Sequence, residues 1–295
     1  MFSLKSYSIL VLIFAFLFVL DYKIASDLSE TKVLGDSTQA VSEYPILKTT
    51  AVPQISADGA VVMDADSKVV LYEKNPNLRF SSASTTKIMT AITALDYFRP
   101  NDILTVKNAA TEGAVLGLTT GQRITFDNLL YALLLPSAND MAFTLAQNYD
   151  SKGGFVRKMN QNVAKFNLYN THYEDPAGLL DDLDYTTPFD LARLASIAIK
   201  NETFAKVVGT REKTIVDLEG NSYSLKNLNK LLGTDGVDGV KTGFTQRAGQ
   251  VLVTSKKEGA HTIIIVVMGS GDRFLDTEKL LSMISGNVTY LSIHP

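Results

Sequence analysis

Runs of β-branched and aliphatic residues near the two ends of the chain constrain its fold more than any other feature of the sequence. Gly59–Met63 and Lys68–Tyr72 flank the turn sequence Asp64-Ala65-Asp66-Ser67, which predicts an antiparallel hairpin. Strand character returns only towards the other end, at Thr214–Leu218, Val237–Lys241, Gly249–Ser255 and Thr262–Met268. The two groups can share one sheet if the chain between them returns to its starting point.

Between these strands, apolar residues recur at three- and four-residue spacing, which is the period of an amphipathic helix. The predicted helices are Ser84–Leu95, Phe126–Leu135, Asn139–Gln147, Phe155–Phe166 and Pro188–Ile199, with a last one at Asp272–Ile284. We therefore expect an α/β (α+β) sandwich. An antiparallel sheet built from N- and C-terminal strands is flanked by helices, with a mostly helical middle region.

The first fifty residues differ in composition from the rest. Ile9–Leu20 is an unbroken apolar run after a single cation, Lys5, and this pattern indicates targeting to a membrane. The run is short for a bilayer span, which is typical of a signal peptide, but no small-x-small cleavage pair follows it closely. We expect residues 1–25 to be a signal or N-terminal membrane anchor, with retention slightly favoured. Residues 26–50 are then a flexible tether and 51–295 the folded domain.

Composition excludes several kinds of site. The chain has no cysteine, which rules out disulfides, a cysteine nucleophile and thiolate zinc sites. Its three histidines, at 172, 261 and 294, are too scattered for an obvious multi-histidine metal site. A net charge of −3 lacks the basic footprint of a nucleic-acid-binding protein, so no nucleic acid partner is expected.

A candidate nucleophile lies where the polar loop Phe80–Ala83 leads into a predicted helix. Residues three apart share one helix face, so Lys87 can reach the Ser84 hydroxyl, and the helix dipole favours a developing alkoxide. The pair could act as nucleophile and base if burial and neighbouring cations lower the pKa of Lys87. A helix cap is the commoner role for a serine at this position, and Ser29-Glu30-Thr31-Lys32 repeats the spacing in a stretch interpreted as inert.

Two further motifs are ambiguous when taken alone. Ser137 and Asn139 could act from a loop as a proton shuttle and an amide donor to a substrate, or could simply cap a helix. Lys241, Thr242 and Gly243 form a Lys-Thr-Gly sequence on a predicted strand. They could bind a substrate carboxylate with close backbone approach, or Lys241 could be an edge-strand lysine that deters aggregation.

The order Ser-x-x-Lys, Ser-x-Asn, Lys-Thr-Gly is typical of penicillin-binding proteins and β-lactamases. With the supporting stretches Arg79–Thr90, Asn227–Leu232 and Asp238–Thr245, the chain resembles the D-alanyl-D-alanine carboxypeptidases among the low-molecular-mass penicillin-binding proteins. The resemblance implies a β-lactamase/transpeptidase-like fold and a serine-type D-Ala-D-Ala carboxypeptidase that needs no metal or organic cofactor.

The resemblance also implies the chemical role of each motif. Ser84 is expected to be acylated by the penultimate D-Ala carbonyl of a peptidoglycan stem peptide, with Lys87 as the base. Ser137 together with Lys241 is expected to pass a proton to the departing D-alanine, and Asn139 to hold the substrate amide.

The remaining implied roles concern substrate binding. Thr242 is expected to bind the terminal carboxylate beside Gly243, and the backbone N–H groups of Ser84 and Phe244 to form the oxyanion hole. Penicillins, which mimic the D-Ala-D-Ala terminus, are expected to acylate Ser84 as covalent inhibitors.

Three alternatives stay open: a D,D-endopeptidase, a β-lactamase, and a non-catalytic β-lactam or peptidoglycan sensor. A β-lactamase would need a deacylation glutamate, for which Glu174 is the candidate. Glu174 lacks the Glu-x-x-Leu-Asn pattern of those enzymes, so we expect it to be a surface or loop carboxylate, and His172 a loop hydrogen-bond residue.

The location of the protein follows from the same resemblance. Family members often carry a C-terminal β domain and a terminal membrane helix, which have no apparent counterpart after Lys241. Anchoring is therefore expected to fall to the N-terminal segment, on the extracytoplasmic face of the bacterial cell membrane. Cleavage of that segment would make the protein secreted or periplasmic.

Overall fold

Strands and helices are distributed along the chain much as their periodicity predicts. The structure, a computed structural model, describes residues 43–150 and 152–292, of which Glu43–Leu291 form one compact unit. The strands are β1 (Glu43–Leu47), β2 (Gly59–Asp64), β3 (Val70–Lys74), β4 (Phe80–Ser81), β5 (Ile103–Thr105), β6 (Arg123–Thr125), β7 (Tyr185–Thr186), β8 (Glu212–Val216), β9 (Ser222–Lys226), β10 (Val237–Thr245), β11 (Gly249–Glu258), β12 (His261–Ser270) and β13 (Val288–Ser292). The helices are α1 (Thr86–Leu95), α2 (Phe126–Leu134), α3 (Asn139–Tyr149), α4 (Lys152–Lys165), α5 (Pro188–Ala198), α6 (Glu202–Val208) and α7 (Arg273–Ile284), and a 3-10 turn covers Ala83–Thr85.

The main sheet joins strands from both ends of the described chain. Its order is β10-β11-β12-β2-β3, and all four pairings are antiparallel. β2 meets β12 with Val62 opposite Ile265, so residues far apart in sequence are direct neighbours in the sheet. The predicted sandwich, with its sheet built from N- and C-terminal strands and its helical middle, is confirmed.

Side chains alternate along the central strands and therefore face two different cores. Val61 and Val266 pack in a large cluster with the helical middle region, whereas Val62 and Ile265 pack in a second cluster with residues of α7. Both faces of the sheet are thus covered. This arrangement explains why β2 and β12 read as nearly continuous hydrophobic runs.

Asp276 links α7 to β2 and β12, two neighbouring strands that come from opposite ends of the described chain. Its buried carboxylate accepts hydrogen bonds from the backbone N–H groups of Ser56 and Ala57, and from the hydroxyls of Ser56 and Ser270, at 2.6–2.8 Å. Ser56 and Ala57 precede β2 and Ser270 ends β12, so one side chain fixes the position of α7 against the pair of strands that close the sheet.

Several helices begin at a side-chain cap, whereas α1 and α3 have none. The side chains of Thr125, Thr187 and Asp272 accept hydrogen bonds from backbone N–H groups in the first turns of α2, α5 and α7. Helix α1 has no side-chain cap and is preceded by the 3-10 turn. The helix predicted from Ser84 therefore begins at Thr86, and Ser84 lies in the turn before it.

Elements without a long apolar period were not predicted. These are β1, β9, β13, helix α6 and the short pairs β4–β7 and β5–β6. Most are brief or have exposed positions, so that they offer few residues for a periodic pattern.

The proposed domain boundaries stay a prediction. The predicted signal or anchor, residues 1–25, lies outside the described residues, and so does most of the predicted tether at 26–50. Strand β1 falls within the last part of that tether and pairs with β13. Within residues 43–150 and 152–292, no helix has both the length and the apolar character needed to cross a bilayer.

Candidate active site

Ser84 lies in the 3-10 turn between β4 and α1, in a tightly constrained backbone. The preceding residue, Ala83, has a φ of +46°, in the left-handed region that a side chain disfavours. Gly178 packs directly on this backbone: a Cβ at Gly178 would overlap the Ala83 carbonyl oxygen, and its φ is +76°. Only glycine fits there, and the strained turn is held in place from outside.

Lys87 lies one turn after Ser84 and is completely buried. Its Nζ donates to Ser84 Oγ at 3.0 Å, to Asn139 Oδ1 at 2.7 Å and to the Ala177 carbonyl at 2.8 Å. Burial lowers the pKa of Lys87 from 10.5 to about 7, while the charges of Asp175 and Asp140 act in the opposite direction. The predicted contact between nucleophile and base is present, but burial, not neighbouring cations, makes the amine a base at neutral pH.

The second motif reaches the same pair from the loop between α2 and α3. Ser137 has a φ of +67°, and its buried hydroxyl has no hydrogen-bond partner among the described residues. Asn139 donates through Nδ2 to the Glu112 carbonyl at 2.9 Å while its Oδ1 accepts from Lys87. Asn139 thus orients the base, and its predicted contact with a substrate amide stays a prediction.

The third motif lies on β10, an edge strand of the main sheet that runs beside the Ser84 turn. Gly243 permits this approach, since a Cβ there would lie 3.3 Å from the Ala83 Cβ and 3.4 Å from Ser84 N. Lys241 and Thr242 are buried, and Lys241 Nζ donates to the Thr242 carbonyl at 3.0 Å. Burial, with the charges of Lys87 and Arg273, holds the pKa of Lys241 well below its usual range. Because Lys241 is buried, it is not exposed at the strand edge as a lysine that deters aggregation would be.

Phe244 follows this motif on the same edge strand. Phe244 is 62% exposed and directly follows Gly243, the residue that packs against the Ser84 turn. The expected use of its N–H group in an oxyanion hole stays a prediction.

Arg273 is a site residue that the sequence analysis missed. It is the first residue of α7, and its guanidinium donates to the Gly243 carbonyl at 2.8 Å. Its Nε is buried without a hydrogen-bond partner in residues 43–150 and 152–292. A cation at a helix N-terminus opposes the helix dipole, and this conflict was the one available sequence signal. Two basic side chains, those of Lys241 and Arg273, therefore lie beside Thr242 and Gly243.

Asp175 is a second residue whose role was missed. Its buried carboxylate accepts four backbone N–H groups at 2.6–2.9 Å, from residues 177, 178, 179 and 180. The loop that carries the Ala177 carbonyl to Lys87 is therefore wrapped around one side chain.

The neighbouring polar residues behave as predicted. Glu174 has a side chain 46% exposed that lies 2.7 Å from Nε2 of His172, so both are loop residues on the surface. Among the described residues, no group of three or more His, Cys, Asp or Glu side chains could hold a metal ion.

The arrangement can support acyl transfer. The partly exposed Ser84 hydroxyl has a buried amine as its base, and the Ser137 hydroxyl has no partner among the described residues. The buried Lys241 and the half-buried Arg273 lie at a strand edge that can meet an anion.

Comparisons with known proteins agree with this chemistry. The sequence model of the D-alanyl-D-alanine carboxypeptidase family matches residues 46–272. The chain is 35% identical over 239 residues to the D-alanyl-D-alanine carboxypeptidase of Streptomyces sp. (strain K15), covering 74% of this chain and 82% of that one. It is 32% identical over 248 residues to D-alanyl-D-alanine carboxypeptidase DacF of Bacillus subtilis (strain 168), covering 81% of this chain but 64% of that relative.

An endopeptidase and solved structures are also similar. The D-alanyl-D-alanine endopeptidase of Pseudomonas aeruginosa (strain PAO1) is 31% identical over 248 residues, which is 80% of each chain. The crystal structure of the Streptomyces K15 DD-transpeptidase superposes with a TM-score of 0.74 at 33% identity, covering 79% of this chain and 98% of that one.

Proposed function

We propose that this chain, which belongs to the D-alanyl-D-alanine carboxypeptidase family of serine peptidases, removes the terminal D-alanine from peptidoglycan stem peptides through an acyl-enzyme on Ser84. The observation that carries the proposal is the 3.0 Å contact between Ser84 Oγ and the buried amine of Lys87, whose pKa is about 7. About half of such amines are neutral at pH 7 and can take the hydroxyl proton.

Acylation follows from this geometry. Neutral Lys87 takes the proton of Ser84 as Oγ attacks the carbonyl carbon between the two D-alanines. Collapse of the tetrahedral intermediate breaks the C–N bond, and the departing amine takes a proton from Ser137 with the assistance of Lys241. Lys87 then returns to Ser137 the proton that it took from Ser84, and is neutral again. Water then attacks the ester, with Lys87 again as base, and releases the shortened peptide and the free serine.

Recognition of the free carboxylate would fall to the strand edge. Thr242 offers a hydroxyl, and Lys241 and Arg273 place two hydrogen-bond donors beside it, of which the Arg273 guanidinium carries a positive charge. The backbone N–H groups of Ser84 and Phe244 would stabilise the oxyanion, each donor contributing about 3 kcal/mol to the transition state. A β-lactam presents the same carboxylate and a strained amide, so we expect it to acylate Ser84.

The alternatives are weaker candidates. A D,D-endopeptidase uses the same site, and one similar protein bears that name. A β-lactamase needs a carboxylate that directs water at the acyl-enzyme, whereas Glu174 is half exposed and paired with His172. A sensor that only binds has no need for a nucleophile with its base.

The experiment uses the full chain with a fluorescent penicillin and, in parallel, a D-Ala-D-Ala pentapeptide and a cross-linked muropeptide. We expect long-lived labelling and release of D-alanine, both abolished in Ser84→Ala. Ser29→Ala is the matched control, since it alters the other Ser-x-x-Lys sequence. Rapid penicillin turnover without D-alanine release would indicate a β-lactamase, cleavage of only the cross-linked substrate an endopeptidase, and an unlabelled Ser84 would overturn the proposal.

We also propose that residues 1–25 carry the protein to the extracytoplasmic face of the bacterial cell membrane. The support is the apolar run Ile9–Leu20. Membrane fractionation and the intact mass of the N-terminus test it: a retained segment in the membrane fraction indicates an anchor, and a shortened chain in the soluble fraction indicates cleavage. Recovery of the whole chain in the cytoplasm would contradict both.

A further inference from the structure

Two buried carboxyl groups, those of Asp175 and Asp184, lie at the two ends of the loop whose Ala177 carbonyl accepts a hydrogen bond from Lys87. Asp175 stands at the start of this loop and accepts its four N–H bonds. Asp184 stands at the end, where its N–H donates to the Leu180 carbonyl at 2.8 Å. Both side chains belong to buried residues.

The two oxygens of Asp184 have different surroundings. Oδ1 accepts the Glu174 N–H at 2.5 Å, whereas Oδ2 is buried with no acceptor or donor assigned to it among the described residues. The carboxyl groups of Asp184 and Asp175 interact directly, and two carboxylates cannot share a hydrogen bond unless one of them carries a proton. A proton on Asp184 Oδ2, donated to Asp175, accounts for the unassigned oxygen.

The surroundings of the pair favour a protonated Asp184 on balance. Burial and the Asp175 charge raise the pKa of Asp184 to about 8, against the N–H groups of Glu174 and Asp175 that lower it. The buried phenol of Tyr173 lies in the field of Asp184 and of Asp190, and its pKa is raised. The negative charge of Asp175 also acts on Lys87 and raises the pKa of the Lys87 amine.

We propose that Asp184 is a positioning residue for the proposed acyl transfer: as a neutral acid it donates a hydrogen bond to Asp175 and thereby holds the loop whose Ala177 carbonyl orients the Lys87 amine. The inference rests on the proposed function, because it assigns Lys87 as the base. Ionised Asp184 would lose the hydrogen bond and place a second negative charge beside Asp175, and the loop would loosen.

The test measures the rate constant for labelling of Ser84 by a fluorescent penicillin between pH 5.5 and 9.5, in the full chain. In the unaltered protein we expect the rate to fall at least threefold between pH 7.5 and 9.5 as Asp184 ionises. Asp184→Asn keeps a donor for Asp175 and an acceptor for the Glu174 N–H but cannot ionise, so it should label within twofold at pH 7 and lose the alkaline fall.

Asp184→Leu removes the donor at similar volume. We expect its labelling rate at pH 7 to drop at least tenfold, and the acid limb to move above pH 7, because a loosened loop admits water to Lys87. Circular dichroism checks its fold, and if Asp184→Leu does not fold, the profile of Asp184→Asn alone decides.

The outcomes separate the two proposals. Absence of labelling in the unaltered protein would overturn the proposed function. Labelling of the unaltered protein with no alkaline fall, or the same fall in Asp184→Asn, or an unchanged rate in folded Asp184→Leu, would overturn only the role of Asp184.

Discussion

The pH dependence of acylation is the sharpest test of the Ser84–Lys87 pair, because only a neutral amine can accept the hydroxyl proton. Burial lowers the pKa of Lys87 from 10.5 to about 7. The neutral fraction is then about a tenth at pH 6, about half at pH 7 and about nine tenths at pH 8. An amine with its ordinary pKa would be neutral in about one molecule in 3000 at pH 7.

We therefore expect the second-order rate constant for labelling of Ser84 by a fluorescent penicillin to rise about fivefold between pH 6 and 7, and less than twofold between pH 7 and 8. An unperturbed amine would instead give about a tenfold rise in each interval. Stopped-flow fluorescence at constant ionic strength measures both intervals on one preparation.

Lys87→Arg is the matched variant, because it keeps the positive charge but holds its proton at every pH of the experiment. We expect its labelling rate at pH 7 to fall by about 100-fold to 10,000-fold, the usual contribution of a general base. A tenfold rise between pH 7 and 8 in the unaltered protein, or labelling of Lys87→Arg within tenfold of it, would refute the assignment of Lys87 as the base.

Three further outcomes follow from the structure. Gly178→Ala places a Cβ against the Ala83 carbonyl at a positive φ, so it should destabilise the fold by about 1–3 kcal/mol and slow labelling at least tenfold. The control is Gly220→Ala, which has a φ of +92° but open space around it and should keep the labelling rate. An equal loss of labelling in both variants would contradict the steric argument. Arg273→Gln should lower kcat/KM by about 10-fold to 100-fold for a stem peptide with a free carboxylate but not for its amide, and an equal effect on both would rule out carboxylate recognition. Asp276→Asn should lower the free energy of unfolding by about 1–3 kcal/mol at pH 7. Burial raises the pKa of Asp276, but its hydrogen bonds lower the pKa by more, so the net shift is downward. The stabilisation that the ionised carboxylate provides is therefore present above about pH 4 and is lost as the pH falls. Urea unfolding at pH 7 and pH 3 measures this, and a variant that keeps the full pH difference would refute it.

Elements that bury a periodic apolar face were predictable from the sequence. β2, β12 and the long helices of the middle region carry enough apolar residues for the period to show, and their pairing followed from their place at the two ends. The start of α1 was predicted two residues too early, at Ser84 instead of Thr86. The turn before the helix depends on Ala83 at a positive φ and on Gly178, which packs against it from far along the chain.

Within the site, the motif residues were predictable but the surrounding charges were not. Ser84, Lys87, Ser137 and Lys241 occur in recognisable spacings, so the resemblance identified them. Arg273, Asp175 and Asp184 act on the motifs across long sequence separations, as in the bond from Arg273 to Gly243. Nothing local in the sequence distinguishes a carboxylate that gathers four N–H groups from one that faces solvent.

The cause of the lowered pKa of Lys87 was likewise a property of packing. The sequence analysis expected neighbouring cations to contribute, whereas burial is the largest cause of the lowered pKa of Lys87 and outweighs the opposing charges of Asp175 and Asp140. The burial of one side chain depends on every element that packs around it, and the periodicity of the sequence does not reveal that packing.

The pairing of β2 with β12 sets the order in which the protein can be assembled. β2 leaves the ribosome about 200 residues before its partner, as the register of Val62 with Ile265 shows. Closing so long a loop carries a large entropic barrier, and until it closes β2 presents an unpaired apolar edge that can associate with other chains. Ser84 lies in the turn before α1 and packs against Gly243 of β10, so its surroundings are complete only once the C-terminal strands are in place. Activity therefore requires that the whole sheet has formed, and we expect no shorter nascent chain to bind a penicillin.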